Sequence, residues 1–278
     1  MSDRLTARDI QAHYDQLALF YWLLWGEHIH HGYWEDGESE SQAQVKLIER
    51  LAALARIPDG ARVLDVGCGF GGAALWLAEN YHCQVTGITL SPIQAWWARH
   101  RARRKNLHRQ VTIHRGDVQK QTWPDASFDV IWIIECSEHL EDKRRFFQSC
   151  SRWLAPGGIL ALCAWMKGEN LTAEDERNFI EPVCRGFLCP SLATMSEYGE
   201  WLGEAGIEIL VTENATDRIV KTWEICRRRT EHPLVRWLLP WASPSIRRFV
   251  ESFATIQSAF LHGTLVYGMM AGQKRPRR

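Results

Sequence analysis

Residues 63–72 read Val63-Leu64-Asp65-Val66-Gly67-Cys68-Gly69-Phe70-Gly71-Gly72. A short β-branched and apolar run with one aspartate is followed at once by four glycines in six positions. Glycine loses more backbone entropy on folding than any other residue, so such clustering needs a reason. A strand ending at Val66 must turn sharply into a helix from residue 72. Gly67 and Gly69 permit positive φ and let the backbone approach a ligand without a Cβ in the way. Ligands of open α/β sheets bind beyond the carboxyl ends of strands, near the switch in strand order. This first strand–turn–helix unit is therefore the expected floor of a ligand site.

The spacing narrows the ligand. A dinucleotide fold calls for GxGxxG, whereas Gly67, Gly69 and Gly71 form GxGxG behind Asp65. That pattern suits S-adenosylmethionine, which has no phosphate and whose amino-acid end can meet glycine backbone. Asp65, Gly67, Cys68, Gly69 and Gly71 are the candidate contacts here. A ligand-free structural turn is the plainer alternative, and an NAD-dependent oxidoreductase is disfavoured by the spacing.

Downstream, the sequence alternates strand and helix. Strands are expected at 62–66, 84–89, 111–115, 128–134 and 158–165, and helices at 72–80, 92–105 (opened by Ser91) and 140–154. Such βαβα order implies a parallel sheet with helices on both faces. After 168 the rhythm breaks. Residues 169–205 look helical and irregular, and two further strands read at 207–213 and 264–271 with mostly helical sequence between them. Before the first strand lie amphipathic helices at 8–25 and 41–56, the second capped by Ser39 or Ser41. The expected organisation is a helical cap (1–56), a cofactor-binding core (57–168) and the rest of the sheet with a helical lid (169–278), in one structural domain.

Supporting positions follow the strand ends. Asp117, with Val118, follows the third strand, where a carboxylate can accept from an adenine amino group; a simple helix cap is the alternative. The second strand ends in GITLS without an acid, leaving Thr89, Leu90, Ser91 and Gln94 to face ribose. Ile134 and Glu135, after the fourth strand, are expected beside the methionine moiety.

VLDVGCGFGG, GITLSPIQ, Gly116-Asp117, SFDVIWIIECSEHLEDK and LAPGG, in this order, resemble the class I S-adenosylmethionine-dependent methyltransferases over about residues 61–168. WGEHIHHGYWE (25–35), GITLSPIQA (87–95) and ECSEHLEDK (135–143) are similar to the tocopherol methyltransferase group, which also holds natural-product O-, N- and C-methyltransferases. The resemblance implies a Rossmann-like, seven-stranded, mostly parallel sheet with one antiparallel strand, residues 264–271, and a helical lid. It implies methyl transfer to a hydrophobic small molecule, a phenol or quinol at oxygen or carbon. N-methylation and isoprenoid or sterol C-methylation stay open, as does a cofactor-binding protein without chemistry. It also implies that a histidine in the stretch after the fourth strand deprotonates a hydroxyl acceptor. His139 and Glu138 are the candidates for base or acceptor orientation, with a helix N-terminus decorated by acids as the alternative.

The GEHIHHGYW stretch offers Glu27, His28, His30 and His31 within five positions, a set that can suit a metal. No second cluster matches it, so no metal is expected, and in the resembling group the stretch wraps cofactor and substrate. Tyr14, Tyr21, His30 and His31 are candidate acceptor contacts, and Tyr33 a candidate cofactor contact. Trp165, at the end of the fifth strand, should face the pocket with Trp223. Phe187, Trp223, Trp237, Leu238, Leu239 and Trp241 read as an apolar lid or a shallow membrane-contact face. Packing of lid on core is the alternative.

Composition sets the outer limits. The 278 residues are 46% apolar, and Lys+Arg and Asp+Glu are 33 each. That balance gives no reason to expect a nucleic-acid partner. No apolar run reaches the length of a membrane span, and the start is polar, so no stable membrane insertion and no leader are expected. Weak contact with a membrane surface stays open. The basic KRPRR end reads as a solvated tail. The eight cysteines have no CxxC pair and several sit in apolar runs, which points to a reducing, cytoplasmic compartment. An oligomer stays open.

Overall fold

The computed structural model describes residues 5–276, except for the side chains of Leu19, Phe20, Leu23, Leu24, Leu234 and Leu238. The first four residues of the polar start, the last two of the basic tail and the Leu238 side chain thus lie outside the described residues. The elements run α1 (Ala7–Trp25), α2 (Glu40–Ala55), β1 (Arg62–Val66), α3 (Gly72–Tyr81), β2 (Gln84–Thr89), α4 (Pro92–Arg104), β3 (Val111–Arg115), β4 (Phe128–Ile134), α5 (Lys143–Trp153) and β5 (Leu154–Lys167). Then come α6 (Ala173–Asp175), a π-helical stretch (Glu176–Ile180), α7 (Glu181–Phe187), α8 (Met195–Glu204), β6 (Ile207–Asn214), α9 (Thr216–Thr230), α10 (Pro233–Leu238), α11 (Pro244–Leu261) and β7 (Leu265–Lys274).

Seven strands form one sheet in the order β3-β2-β1-β4-β5-β7-β6. β1 to β5 pair in parallel, and β7 runs antiparallel to both of its neighbours. The strand order reverses between β1 and β4, so a crevice opens beyond their carboxyl ends. Leu64, Val66, Ile131 and Ile133 are fully or almost fully buried, as expected of central parallel strands covered on both faces. One apolar core joins the sheet to α2, α3, α4, α9 and α11. The other joins it to α5 and α8.

Local sequence explains the element ends. Thr6 and Asp9 close a capping box on α1, Ser39 and Gln42 another on α2, and Ser91 caps α4 before Pro92. The helix expected from residue 140 starts instead at Lys143. Ser137–His139 forms a 3-10 turn, and Asp142 caps α5 by accepting from the Arg145 N–H. β5 begins earlier than expected, at Leu154, and passes through Gly157 at φ +76°.

α1 and the second-half helices meet through aromatic rings. Tyr21 lies 5.4 Å from Phe249 and Trp25 5.9 Å from Phe253, centroid to centroid, while on the side of α4 Trp22 stacks on Trp97 at 4.9 Å. Phe187, Trp223 and Phe253 complete this cluster. Trp237 and Trp241 do not join it: they are 67% and 83% exposed.

Candidate active site

The glycine turn lies where the topology predicts. Gly67, Gly69 and Gly71 all have positive φ, at +73°, +51° and +78°. Their surroundings differ. A Cβ on Gly67 would run into the Cys136 side chain, and one on Gly71 would press on Ala98 at 3.0 Å. A Cβ on Gly69 would meet nothing nearer than Ile29 at 3.9 Å. The turn is thus packed at both ends and open in its middle. Gly71 serves as N-cap of α3 and is a packing glycine, not a wall of the cleft, which corrects its expected role.

A cleft of about 800 Å³, partly open to solvent, rises from that opening. Asp65, Gly67, Cys68, Gly69, Thr89, Leu90, Ser91, Gln94, Ile134 and Glu135 line it. Thr89 donates to Gln94 Oε1 at 2.7 Å, and Ser91 caps α4 while donating to Asp15 at 2.5 Å. Asp117 and Val118 line an adjoining open groove that shares Gly67, Thr89 and Leu90 with the cleft. Asp117 also caps its own 3-10 turn through the Gln119 N–H. Tyr33 departs from expectation. Its hydroxyl donates to Glu213 on β6 at 3.2 Å, because the loop carries it outward to pair with Ala43 and away from the cleft.

Asp65 is 2% exposed, and its Oδ2 has no hydrogen-bond partner. Burial lifts its carboxyl to about 7. An orphaned carboxylate oxygen beside an open glycine turn matches a cationic ammonium, which would supply the missing partner.

Behind the cleft lies a third, smaller cavity. Tyr14, Tyr21, His30, His31, Trp165 and Trp223, the six expected acceptor contacts, all line it. Phe187, Cys189, Thr222 and Phe249 add walls from the second half. The cavity and the cleft share Tyr14, Ile29, His30, Glu135 and His139.

The shared residues are held tightly. Glu135 sits at φ +47°, a strained conformation at the end of β4. Its Oε1 accepts from the His31 N–H and Nδ1–H, both at 2.9 Å, and from the Tyr267 hydroxyl at 2.7 Å. Burial pushes its carboxyl up, but the His31 ring and backbone and the His30 ring together hold it below the usual value. His139 donates from Nδ1 to the Leu188 carbonyl at 3.2 Å, so Nε2 is bare and accepts from the Tyr14 hydroxyl at 2.8 Å. Burial drags the imidazole down to about 4 and keeps it neutral. Glu138 is 2% exposed; its Oε1 accepts from the Trp165 N–H at 2.7 Å, and burial raises its carboxyl to about 8. The buried His30 Nε2, His31 Nε2, Trp165 Nε1 and Trp223 Nε1 have no partner. No group of three or more metal-binding side chains converges among the described residues.

Comparison with known proteins fits this geometry. A family model described as a methyltransferase domain matches residues 64–162. Over 230 residues the chain is 34% identical to the 27-O-demethylrifamycin SV methyltransferase of Amycolatopsis mediterranei (strain S699), covering 81% of the chain and 83% of that protein. The chain belongs to the class I S-adenosylmethionine-dependent methyltransferases. It is also 33% identical over 225 residues to a probable chloroplastic tocopherol O-methyltransferase of Oryza sativa subsp. japonica; the match takes in 76% of the chain and spans 62% of that relative's length. The crystal structure of the [4+2]-cyclase SpnF matches with a TM-score of 0.84 and 26% identity, covering 98% of both chains. S-adenosylmethionine is therefore the cofactor of this methyltransferase, and Asp65, the open middle of the turn and the Asp117 groove are the features of the chain that fit it.

The site residues absent from the sequence reading fall in two classes. Cys136 adjoins Glu135 and packs on the turn, so adjacency alone was a usable signal. Cys189, Thr222 and Phe249 come from separate second-half elements with no local signature.

Asp65 yields a pH prediction. A carboxyl that titrates near 7 in the empty protein must lose its proton to meet a cation. Affinity for S-adenosylhomocysteine should therefore be flat above pH about 7 and fall by up to about tenfold per unit below it. Titration calorimetry from pH 5.5 to 8.5 checks this, with Asp65→Asn expected to bind weakly and without that slope.

Proposed function

We propose that this methyltransferase methylates an apolar, ring-bearing small molecule at a hydroxyl oxygen, a phenol or quinol. The observation that carries the reading is the aromatic cavity meeting the glycine cleft at Tyr14, Glu135 and His139. Trp165, Phe187, Trp223 and Phe249 offer ring faces for an apolar acceptor. The orphaned His and Trp ring nitrogens around it favour an acceptor that also bears oxygen, because buried polar groups left unpaired are costly. The relatives named for tocopherol and rifamycin O-methylation agree with such an acceptor and with a role in natural-product chemistry.

When bound, the cofactor supplies an electrophilic methyl group. The chain must then present the acceptor oxygen in line, keep water out and receive the hydroxyl proton. His139 Nε2 is the receiving atom, since Nδ1–H is committed to Leu188. Tyr14 now donates to that nitrogen, and an acceptor hydroxyl would take the same place. Glu138 ties the backbone of Trp165 and so positions the cavity wall; its carboxyl, lifted to about 8, stays largely protonated at neutral pH. The eight free thiols agree with a reducing, cytoplasmic compartment.

Incubation with S-adenosylmethionine and a panel of prenylated phenols, quinols, amines and isoprenoids, followed by mass spectrometry, tests the reading. The expected result is a gain of one CH₂ on a phenol or quinol. Methylation of amines or alkenes alone would overturn the acceptor class. The likeness to SpnF supports a second reading, a cofactor-holding protein that rearranges its substrate. An isomerised product of unchanged mass would favour it.

A further inference from the structure

The second-half helices end in a tip that neither the cavity nor the sheet explains. It runs from the last turn of α9 through α10 and a 3-10 turn (Leu239–Trp241) to the first turn of α11. Residues 226–248 hold six arginines and one acid, Glu231, in a chain whose net charge is zero. Arg229 pairs with Glu40 at 2.7 Å and Arg227 with Glu231 at 3.4 Å. Arg227, Arg228, Arg236 and Arg248 are exposed. Among them stand Trp237 and Trp241, 67% and 83% exposed, the two most exposed large apolar side chains of the described residues.

Isolated exposed apolar residues need no explanation, but two indoles within five residues, flanked by unburied arginines, are a different matter. Tryptophan has an apolar body and one N–H, which suits the boundary between headgroups and acyl chains. Arginine suits lipid phosphates. No helix of the described residues is long and apolar enough to cross a membrane, so contact would be at the surface.

The position of the tip adds to this. Thr222 and Trp223 of α9 and Phe249 of α11 wall the aromatic cavity. Arg248 immediately precedes Phe249, and Arg228 lies about 7–8 Å along the helix axis from Trp223 at 1.5 Å per residue. The tip therefore continues two walls of the acceptor cavity outward.

We propose that this tip docks on an anionic lipid surface. Trp237 and Trp241 enter the headgroup boundary, and Arg227, Arg228, Arg236 and Arg248 face lipid phosphates. The helices that carry Trp223 and Phe249 then lead from the cavity wall toward that surface. The docking itself does not depend on methyl transfer, so the two can fail separately.

Co-sedimentation of the full chain with vesicles tests this. Phosphatidylcholine vesicles alone should retain little protein, and vesicles that also contain phosphatidylglycerol should retain much more, with retention falling as salt rises. Trp237→Ser with Trp241→Ser should lower partitioning by about tenfold or more. Arg228→Gln with Arg236→Gln should lower it by about fivefold per charge removed. Both double variants should bind S-adenosylhomocysteine as the unaltered protein does, which shows that they fold. The proposal is overturned if the unaltered protein ignores both vesicle types or if the tryptophan variant binds equally well. It is also overturned if single-stranded DNA is preferred to the mixed vesicles, or if the same substitutions abolish only self-association in sedimentation velocity.

Discussion

Gly69→Leu should leave the protein folded and lower its affinity for S-adenosylhomocysteine by at least about 100-fold, or about 2.7 kcal/mol. Gly69 has φ +51°, and a Cβ there points into the cleft with its nearest neighbour at 3.9 Å. The left-handed conformation costs a leucine about 1–2 kcal/mol, a fraction of the usual stability of about 5–15 kcal/mol. The branched side chain would then occupy space that the donor needs. Gly67→Ala is the informative contrast. Its Cβ would collide with Cys136 inside the packed end of the turn, so lost stability should accompany any lost binding. Thermal melting and calorimetry on both variants separate the effects. Binding by Gly69→Leu within tenfold of the unaltered protein would remove the cleft as the cofactor seat.

His139→Ala should lower turnover by about 10²–10⁴-fold while leaving cofactor affinity within about threefold. The imidazole forms two polar contacts, with Leu188 and Tyr14, and neither involves the walls specific to the donor cleft. Its replacement removes the receiving nitrogen but not the glycine turn or Asp65. Equal losses in turnover and in affinity would show that His139 acts on the donor instead. The pH profile gives an independent check. Burial holds the imidazole near 4, so it is already neutral well below pH 7. The rate under saturating ligands should therefore not rise through pH 6.5, as it would for an imidazole with an ordinary pKa. A clear inflection there would mean that His139 is solvated during turnover.

The legible part of this chain is the part ruled by local chemistry. β1 and β4 lie at the residues their apolar runs predict, because buried parallel strands leave apolar, β-branched stretches bounded by turn residues, and the edge strand β3 lies where the alternation of Val111 and Ile113 with polar residues places it. Ser91 and Ser39 announce their helices for the same reason. α5 starts later than the sequence suggests because the acids at 138–142 look like a helix entry, whereas Asp142 alone caps it and Ser137–His139 makes a tighter turn. The place of Tyr33 is not legible because nothing local shows that the loop turns outward toward Glu213. The aromatic cavity beside the cleft is half legible. The tyrosines, histidines and tryptophans that stand out by type are there, but Cys189, Thr222 and Phe249 reach it through long-range packing of α1, α7, α9 and α11, which leaves no spacing to read.

Gln44 of α2 gathers the carbonyls of Trp25 and His28 on one buried amide, at 3.1 and 2.7 Å. It thus pins the loop that follows α1, the leading strap, in which Ile29 and His30 line both cavities. Selectivity in this scaffold is consequently not a modular trait. Exchanging the lid helices with those of a relative, without the matching leading strap and its Gln44 fastening, would join half of one mould to half of another, and successful grafts should be those that transfer both ends of the chain together.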